Sequence, residues 1–258
     1  MLIEQNKMRV LIFVFFVTAT LIGCTSSGAE VKSINIAVAA NMQFAMDSIA
    51  VLFEKEYNIK CDVSTNSSGM LTAQIENGAP YDVFVSANMR YPNKLVRDGL
   101  ASPPYIYAHG RLVFVYSSKE EYQTIEDALD SEKIRRVAIA EKKTAPYGTA
   151  AIEYLESVGK RKKYASKIVY GESVGQVNQY LRTNAVDAVF TSYSFVTKFN
   201  KKYHFIEVDQ HHFTKIQQGV VIVDYGAKNN AEESKLFVSF LKSQRCKAVL
   251  EHFGYFVK

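Results

Sequence analysis

At four places in the 258-residue chain a strand hands over to a helix through a short polar or small-residue turn, three of them with a small hydroxyl- or amide-bearing residue at the junction. At the first, Ala37-Val38-Ala39-Ala40-Asn41-Met42, Asn41 stands where an N-cap belongs, and Ala39 and Ala40 keep the approach sterically open. At the second, Asn66-Ser67-Ser68-Gly69, two hydroxyl donors accompany the backbone N–H groups. The third, Ala145-Pro146-Tyr147-Gly148, combines a proline that restricts the loop with a glycine that permits close approach. The fourth, Gly171-Glu172-Ser173, ends on a residue suited to cap the helix that follows. A helix start carries unpaired N–H groups and a positive partial charge, so it suits an anion that must shed its water. Capping alone would explain Asn41; the recurrence of the pattern is what favours an anion.

Other chemistry is poorly represented. The chain has no Walker loop, no G-x-S-x-G turn and no H-E-x-x-H, so an enzyme lacks its machinery. His211-His212 are adjacent, point apart and have no Cys or carboxylate at ligand spacing, which reads as a surface loop rather than a metal site. Glu76 and Asp82 fall in different elements and read as structural. The basic run Lys160-Arg161-Lys162-Lys163 reads as a solvated loop, and no basic-aromatic interleaving suggests nucleic acid.

These junctions need strands and helices to hold them. Ile34, Ile36 and Val38 alternate as in a half-buried strand, and Met42, Ala45, Met46, Ile49, Leu52 and Phe53 follow at helical spacing. Strand candidates at 59–65 and 81–87 alternate with a short helix ended by Gly78 and Pro80 and another over 92–99. The same alternation recurs with a strand at 136–140, a helix at 149–158, a strand at 168–170, a helix from Ser173, and a strand at 187–190 that delivers Thr191, Ser192 and Tyr193. Alternation of this kind predicts α/β lobes with mostly parallel sheets covered by helices. The apolar runs Leu112–Tyr116 and Gly219–Val223 are expected to be the strands that cross between lobes. Lobe 1 is then 33–111 with 219–258, and lobe 2 is 112–218. Ligands of open α/β sheets sit beyond the carboxyl ends of strands, which places two junctions on each wall of a cleft.

Residues 1–23 read as a lipoprotein signal peptide, with Lys7 and Arg9 before an apolar stretch over 10–22 that is short for a membrane span. Leu21-Ile22-Gly23-Cys24 resembles a bacterial lipobox, which implies acylation of Cys24 and a tether over 24–32. Removing that leader leaves about 235 residues, ample for two modest lobes, and changes the formal charge from +5 to +4. Cys61 and Cys246 remain, as a disulfide or as two buried thiols.

Taken together these stretches resemble the periplasmic molybdate-binding proteins of ABC importers. The resemblance rests on Ala37–Met42, Ser67-Ser68-Gly69 with Leu71, Gln74–Pro80, Asp82-Val83-Phe84, Ala145–Gly148, Glu172-Ser173-Val174 and His252–Phe256, and it spans nearly all of 33–258 in unchanged order. It implies a two-lobed periplasmic binding protein fold of type II that captures molybdate and tungstate between its lobes, without catalysis and without a cofactor. It also implies a permease partner, an exported and membrane-anchored location, and a monomer. Sulfate or another oxyanion is the alternative ligand. Carried over by position, oxyanion contacts fall on Asn41 and Ser68 through side chain and backbone, and on Tyr147 and Val174 through backbone N–H. A tyrosine hydroxyl that some members add falls at Thr191, with Ser192 and Tyr193 as neighbours that could serve instead.

Overall fold

The structure is a computed structural model that describes residues 32–199 and 202–257. The expected leader, Cys24 and most of the tether lie outside these residues. Among the described residues, ten strands form two five-stranded sheets. In the first sheet, β1 (Ser33–Ala39) runs parallel to both β2 (Lys60–Asn66) and β3 (Val83–Ser86). The order is completed as β2-β1-β3-β10-β4, where β4 is Tyr105–Gly110 and β10 is Ile216–Ile222. In the second, β5 (Leu112–Tyr116), β6 (Val137–Ala140), β7 (Ile168–Gly171), β8 (Ala188–Ser192) and β9 (His204–Glu207) take the order β7-β6-β8-β5-β9.

Both sheets are mixed. β6 is parallel to β7 and β8, whereas β5 is antiparallel to β8 and β9, as β10 is to β3 and β4. The antiparallel strands are the ones next to the passages between sheets: β4 reaches β5 through Arg111 alone, and β9 reaches β10 through 208–215. β10 also begins earlier than its apolar run suggests. Ile216 pairs with Gly110, so Gln217 and Gln218 are strand residues of the first sheet, with a register shift between Gln218 and Gly219.

Side-chain alternation decides which helices cover which face. Ile34, Ile36 and Val38 pack with Met42, Met46, Ile49 and Phe53 of the helix Gln43–Tyr57 and with Phe237 and Phe240 of the helix Ala231–Leu241. Ala37, Phe84 and Val221 face the other way, onto Leu71, Ile75 and Leu95. The second lobe buries Leu112, Phe114, Val137, Ile139, Val189 and Phe190 in a core of its own. That core also takes in Ala39, Ala40 and Ala87 from the first lobe, so the lobes meet where β1 and β3 end.

Several helices start earlier than their patterns predict. The helix placed at 149–158 is Pro146–Ser157, and that placed at 92–99 is Arg90–Arg97. Proline at the first helical position forfeits no hydrogen bond, so Pro146 initiates the helix instead of sitting in the loop before it. The basic run forms a short helix, Arg161–Tyr164, in which Arg161 pairs with Glu156 and Lys163 with Asp130.

Candidate functional site

Asn41 sits in a single 3-10 turn, Ala40–Met42, between β1 and the helix Gln43–Tyr57. Its side chain does not cap the helix, contrary to the expectation from its position. The amide Nδ2 donates instead to Gln218 Oε1 at 3.0 Å and to the Tyr255 hydroxyl at 3.1 Å. The Asn41 carbonyl accepts from the Tyr255 hydroxyl and from the Ser194 hydroxyl, each at 2.7 Å. Ser194 lies in the helix Tyr193–Phe199 of the second lobe, so Asn41 is a point where the second lobe meets β10 of the first sheet. It is 2% exposed.

The second junction is the start of the helix Ser68–Glu76, and here Ser67 is the cap. Ser67 Oγ accepts from Met70 N–H at 3.4 Å, and the Leu71 N–H reaches the Ser67 carbonyl. Ser68 Oγ accepts from the Ala87 N–H at 3.0 Å, which leaves the hydroxyl hydrogen to be donated. The Gly69 N–H crosses to the Thr144 carbonyl of the second lobe at 2.8 Å. The Ser68 N–H has no intrahelical acceptor, since helix geometry provides none for the first turn.

In the second lobe, Tyr147 and Gly148 occupy the first turn after Pro146, with Thr149 N–H the first to reach a carbonyl of that turn, at Ala145. A Cβ on Gly148 would lie 1.9 Å from the Ala140 carbonyl oxygen, so only glycine lets this helix start nestle against the end of β6. The Tyr147 ring turns inward and is 1% exposed. Burial holds its phenol well above the ordinary tyrosine range; Tyr255 and Tyr107 add to that, while the Asn41 and Gln218 amides pull the other way. At the fourth junction Ser173 caps the helix Val174–Arg182 by accepting from Gln176 N–H at 3.2 Å, and the first-turn N–H groups of Val174 and Gly175 have no intrahelical acceptor. A Cβ on Gly175 would lie 3.5 Å from the Cβ of Ala40, across the interlobe seam.

Thr191 is fully buried, and its hydroxyl donates to Asn178 Oδ1 at 2.7 Å, so that proton is committed within the second lobe. Ser192 Oγ lies 2.8 Å from Ser194 Oγ and 3.5 Å from the Asn41 carbonyl. Tyr193 is half-buried, edge-on to Phe205 and with Arg111 stacked 3.8 Å above its ring. Gln218, Tyr255 and Ser194 escape the sequence reading. Tyr255 was visible only as part of a C-terminal run, and Gln218 was hidden because the apolar part of β10 starts after it.

The seam is thus built from uncharged donors. Asn41, Ser68, Tyr147 and Val174 are all buried, none is Lys or Arg, and each supplies a backbone N–H at a helix start. Such a set can offset the lost hydration of a small anion, and it penalises an anion that still carries a proton, because a proton needs an acceptor. Among the described residues no cluster of His, Cys, Asp and Glu could hold a metal, and His211 and His212 form a short turn with His212 Nδ1 2.9 Å from Ser157 Oγ. Cys61 and Cys246 are free thiols.

A family model described as "Bacterial extracellular solute-binding protein" matches residues 34–256. The molybdate-binding protein ModA of Azotobacter vinelandii is 34% identical over 242 residues, covering 92% of this chain and 94% of that one. ModA of Rhodobacter capsulatus is 32% identical over 221 residues, 85% of this chain and 86% of that one. Among solved structures, the periplasmic molybdate-binding protein of Azotobacter vinelandii superposes with a TM-score of 0.81 at 28% identity, covering 87% of this chain and 99% of that chain. These relatives are named as binding proteins, not as enzymes.

Proposed function

Because the chain belongs to the bacterial extracellular solute-binding protein family, we propose that it is the receptor of an ABC importer and captures molybdate, with tungstate alongside it, in the cleft between its lobes. What supports this reading is that two helix starts of one lobe lie against two of the other: the Gly69 N–H reaches the Thr144 carbonyl, and a Cβ on Gly175 would lie 3.5 Å from that of Ala40. The anion takes backbone N–H groups from Asn41, Ser68, Tyr147 and Val174 and the hydroxyl hydrogen of Ser68. Thr191 joins as a fifth contact only if its hydroxyl leaves Asn178. Sulfate satisfies the same donors, so its rejection depends on cavity size. Ligand held between the lobes favours the closed arrangement, which is the shape the permease reads.

Calorimetric titration of the purified chain with molybdate, tungstate, sulfate and phosphate tests this. Tight binding of the first two and weak binding of phosphate is expected. No heat and no thermal shift with either of the first two ends the proposal. The lipobox-like Leu21-Ile22-Gly23-Cys24 supports an acylated, membrane-held receptor. Cys24→Ala should move the protein from the membrane fraction to the soluble fraction. A wild-type chain already soluble after export sinks that part.

A further inference from the structure

Two buried polar groups beside Asn41 make no well-aligned hydrogen bond among the described residues: the Tyr147 hydroxyl and Gln218 Nε2, although the Asn41 and Gln218 amides lie near enough to the phenol to favour its ionised form. They lie together. A Cβ built on Gly110 would be 2.1 Å from the Tyr147 hydroxyl and 2.7 Å from Gln218 Nε2. Gln218 is fully buried, and its Oε1 accepts from Asn41 Nδ2 and, at 3.5 Å, from the Tyr107 hydroxyl. The register shift at Gln218 and Gly219 is the kind of bulge that re-aims a side chain. What it re-aims Gln218 toward is Asn41, both of whose amide protons are already taken, by Gln218 Oε1 and by the Tyr255 hydroxyl.

A carboxamide can exchange its oxygen and nitrogen by rotating half a turn, at little steric cost. If the Gln218 and Asn41 amides reverse together, both unpartnered groups gain a partner, while the Tyr107 hydroxyl, now donating to Gln218 Oε1 at 3.5 Å, becomes an acceptor and the Tyr255 hydroxyl turns its hydrogen from the Asn41 carbonyl to Asn41 Oδ1. The Tyr147 O–H then donates to Gln218 Oε1, and Gln218 Nε2 donates to Asn41 Oδ1. Asn41 Nδ2 is released from Gln218 and Tyr255 and becomes a donor to a bound anion. We propose that Tyr147, Gln218 and Asn41 form a reversible amide relay, in which Gln218 and the Tyr147 hydroxyl are positioning residues that turn the Asn41 N–H groups toward the oxyanion when it binds. This rests on Asn41 being an anion contact. It assigns the Tyr147 side chain a part separate from that of its backbone N–H, and it brings in Gln218, which touches no anion itself.

The test is molybdate titration calorimetry on the full chain, comparing wild type, Tyr147→Phe, Gln218→Leu, Asn41→Ala and the two double variants with Asn41→Ala. Tyr147→Phe and Gln218→Leu should each weaken binding by about three- to thirtyfold, the size of one lost hydrogen bond. In the Asn41→Ala background neither should weaken it further, because the relay has nothing left to turn. Equal losses in both backgrounds, or no loss in the wild-type background, overturn the relay while leaving the receptor reading intact. Should Gln218→Leu fail to fold, Tyr147→Phe removes a single oxygen, keeps the backbone N–H and decides the matter alone. A second readout is the side-chain amide NMR signal of Gln218, which molybdate should shift in the wild type and not in Tyr147→Phe. An unchanged Gln218 signal in the wild type, with molybdate bound, refutes the reversal. Wild-type protein that binds no oxyanion at all overturns the receptor reading, and the relay with it.

Discussion

Ser68 shows how one side chain can serve the fold and a ligand together. Its oxygen accepts from the Ala87 N–H, tying the helix start to the end of β3, and its hydrogen remains to be donated. Ser68→Ala therefore removes a donor to the anion and leaves a buried N–H unpaired. A hydrogen bond to a charged group contributes about 2 kcal/mol, so molybdate affinity should fall by about thirtyfold, with a smaller loss of thermal stability. Calorimetry and thermal melts separate the two effects; unchanged affinity removes Ser68 from the site. Ser173 was legible as a cap because a cap is a local matter, decided by backbone groups within three residues. Asn41 was not, because its amide partners, Gln218 and Tyr255, are 177 and 214 residues away.

The helix starts depend on how tightly the elements pack. The Pro146 helix begins close enough to β6 that residue 148 has no room for a side chain, which the glycine in the sequence hinted at and the distance to Ala140 explains. At the far side of the first sheet, Cys61 on β2 and Cys246 on the helix Gln244–His252 pack into the same core, Cys246 fully buried and Cys61 at its margin. Burial pushes the Cys61 thiol up to about 12 and the Cys246 thiol up to about 11, from an ordinary 9.0. Since the folded chain holds these protons more tightly than the unfolded one, stability is unaffected below pH 9 and declines as the pH climbs from there toward 11 and 12. At pH 8 both thiols should resist alkylation in the native protein and react after denaturation. Rapid native labelling of Cys246 would contradict its placement.

Closure joins the lobes through a few bonds at the rim of the seam. Besides the Gly69 N–H to Thr144 contact, the Tyr91 hydroxyl donates to the Lys143 carbonyl at 2.9 Å, linking the helix Arg90–Arg97 to the loop before Pro146. A third link is the Ser194 hydroxyl on the Asn41 carbonyl. The Tyr91 hydroxyl lies against Gly69 at the Ser68 helix start but gives its hydrogen to the Lys143 carbonyl, so Tyr91→Phe should act on the closed arrangement rather than remove a donor to the anion. Release of molybdate should quicken by about threefold, corresponding to a fraction of a hydrogen bond, with little change in the association rate. Stopped-flow displacement by tungstate measures this, and an unaltered release rate removes Tyr91 from the closing contacts.

What the residue pattern could establish alone was the repeated strand-to-helix alternation, the caps, and four junctions rich in uncharged donors, because periodicity, proline and serine signals act over a few residues. The mixed sheets, the early start of β10, the meeting of those junctions at one seam and the amide network around Asn41 came only from the folded chain. They depend on contacts between residues many tens of positions apart, up to 214 for Asn41 and Tyr255, and a buried glutamine in a strand carries no local mark of the partner it was placed to meet.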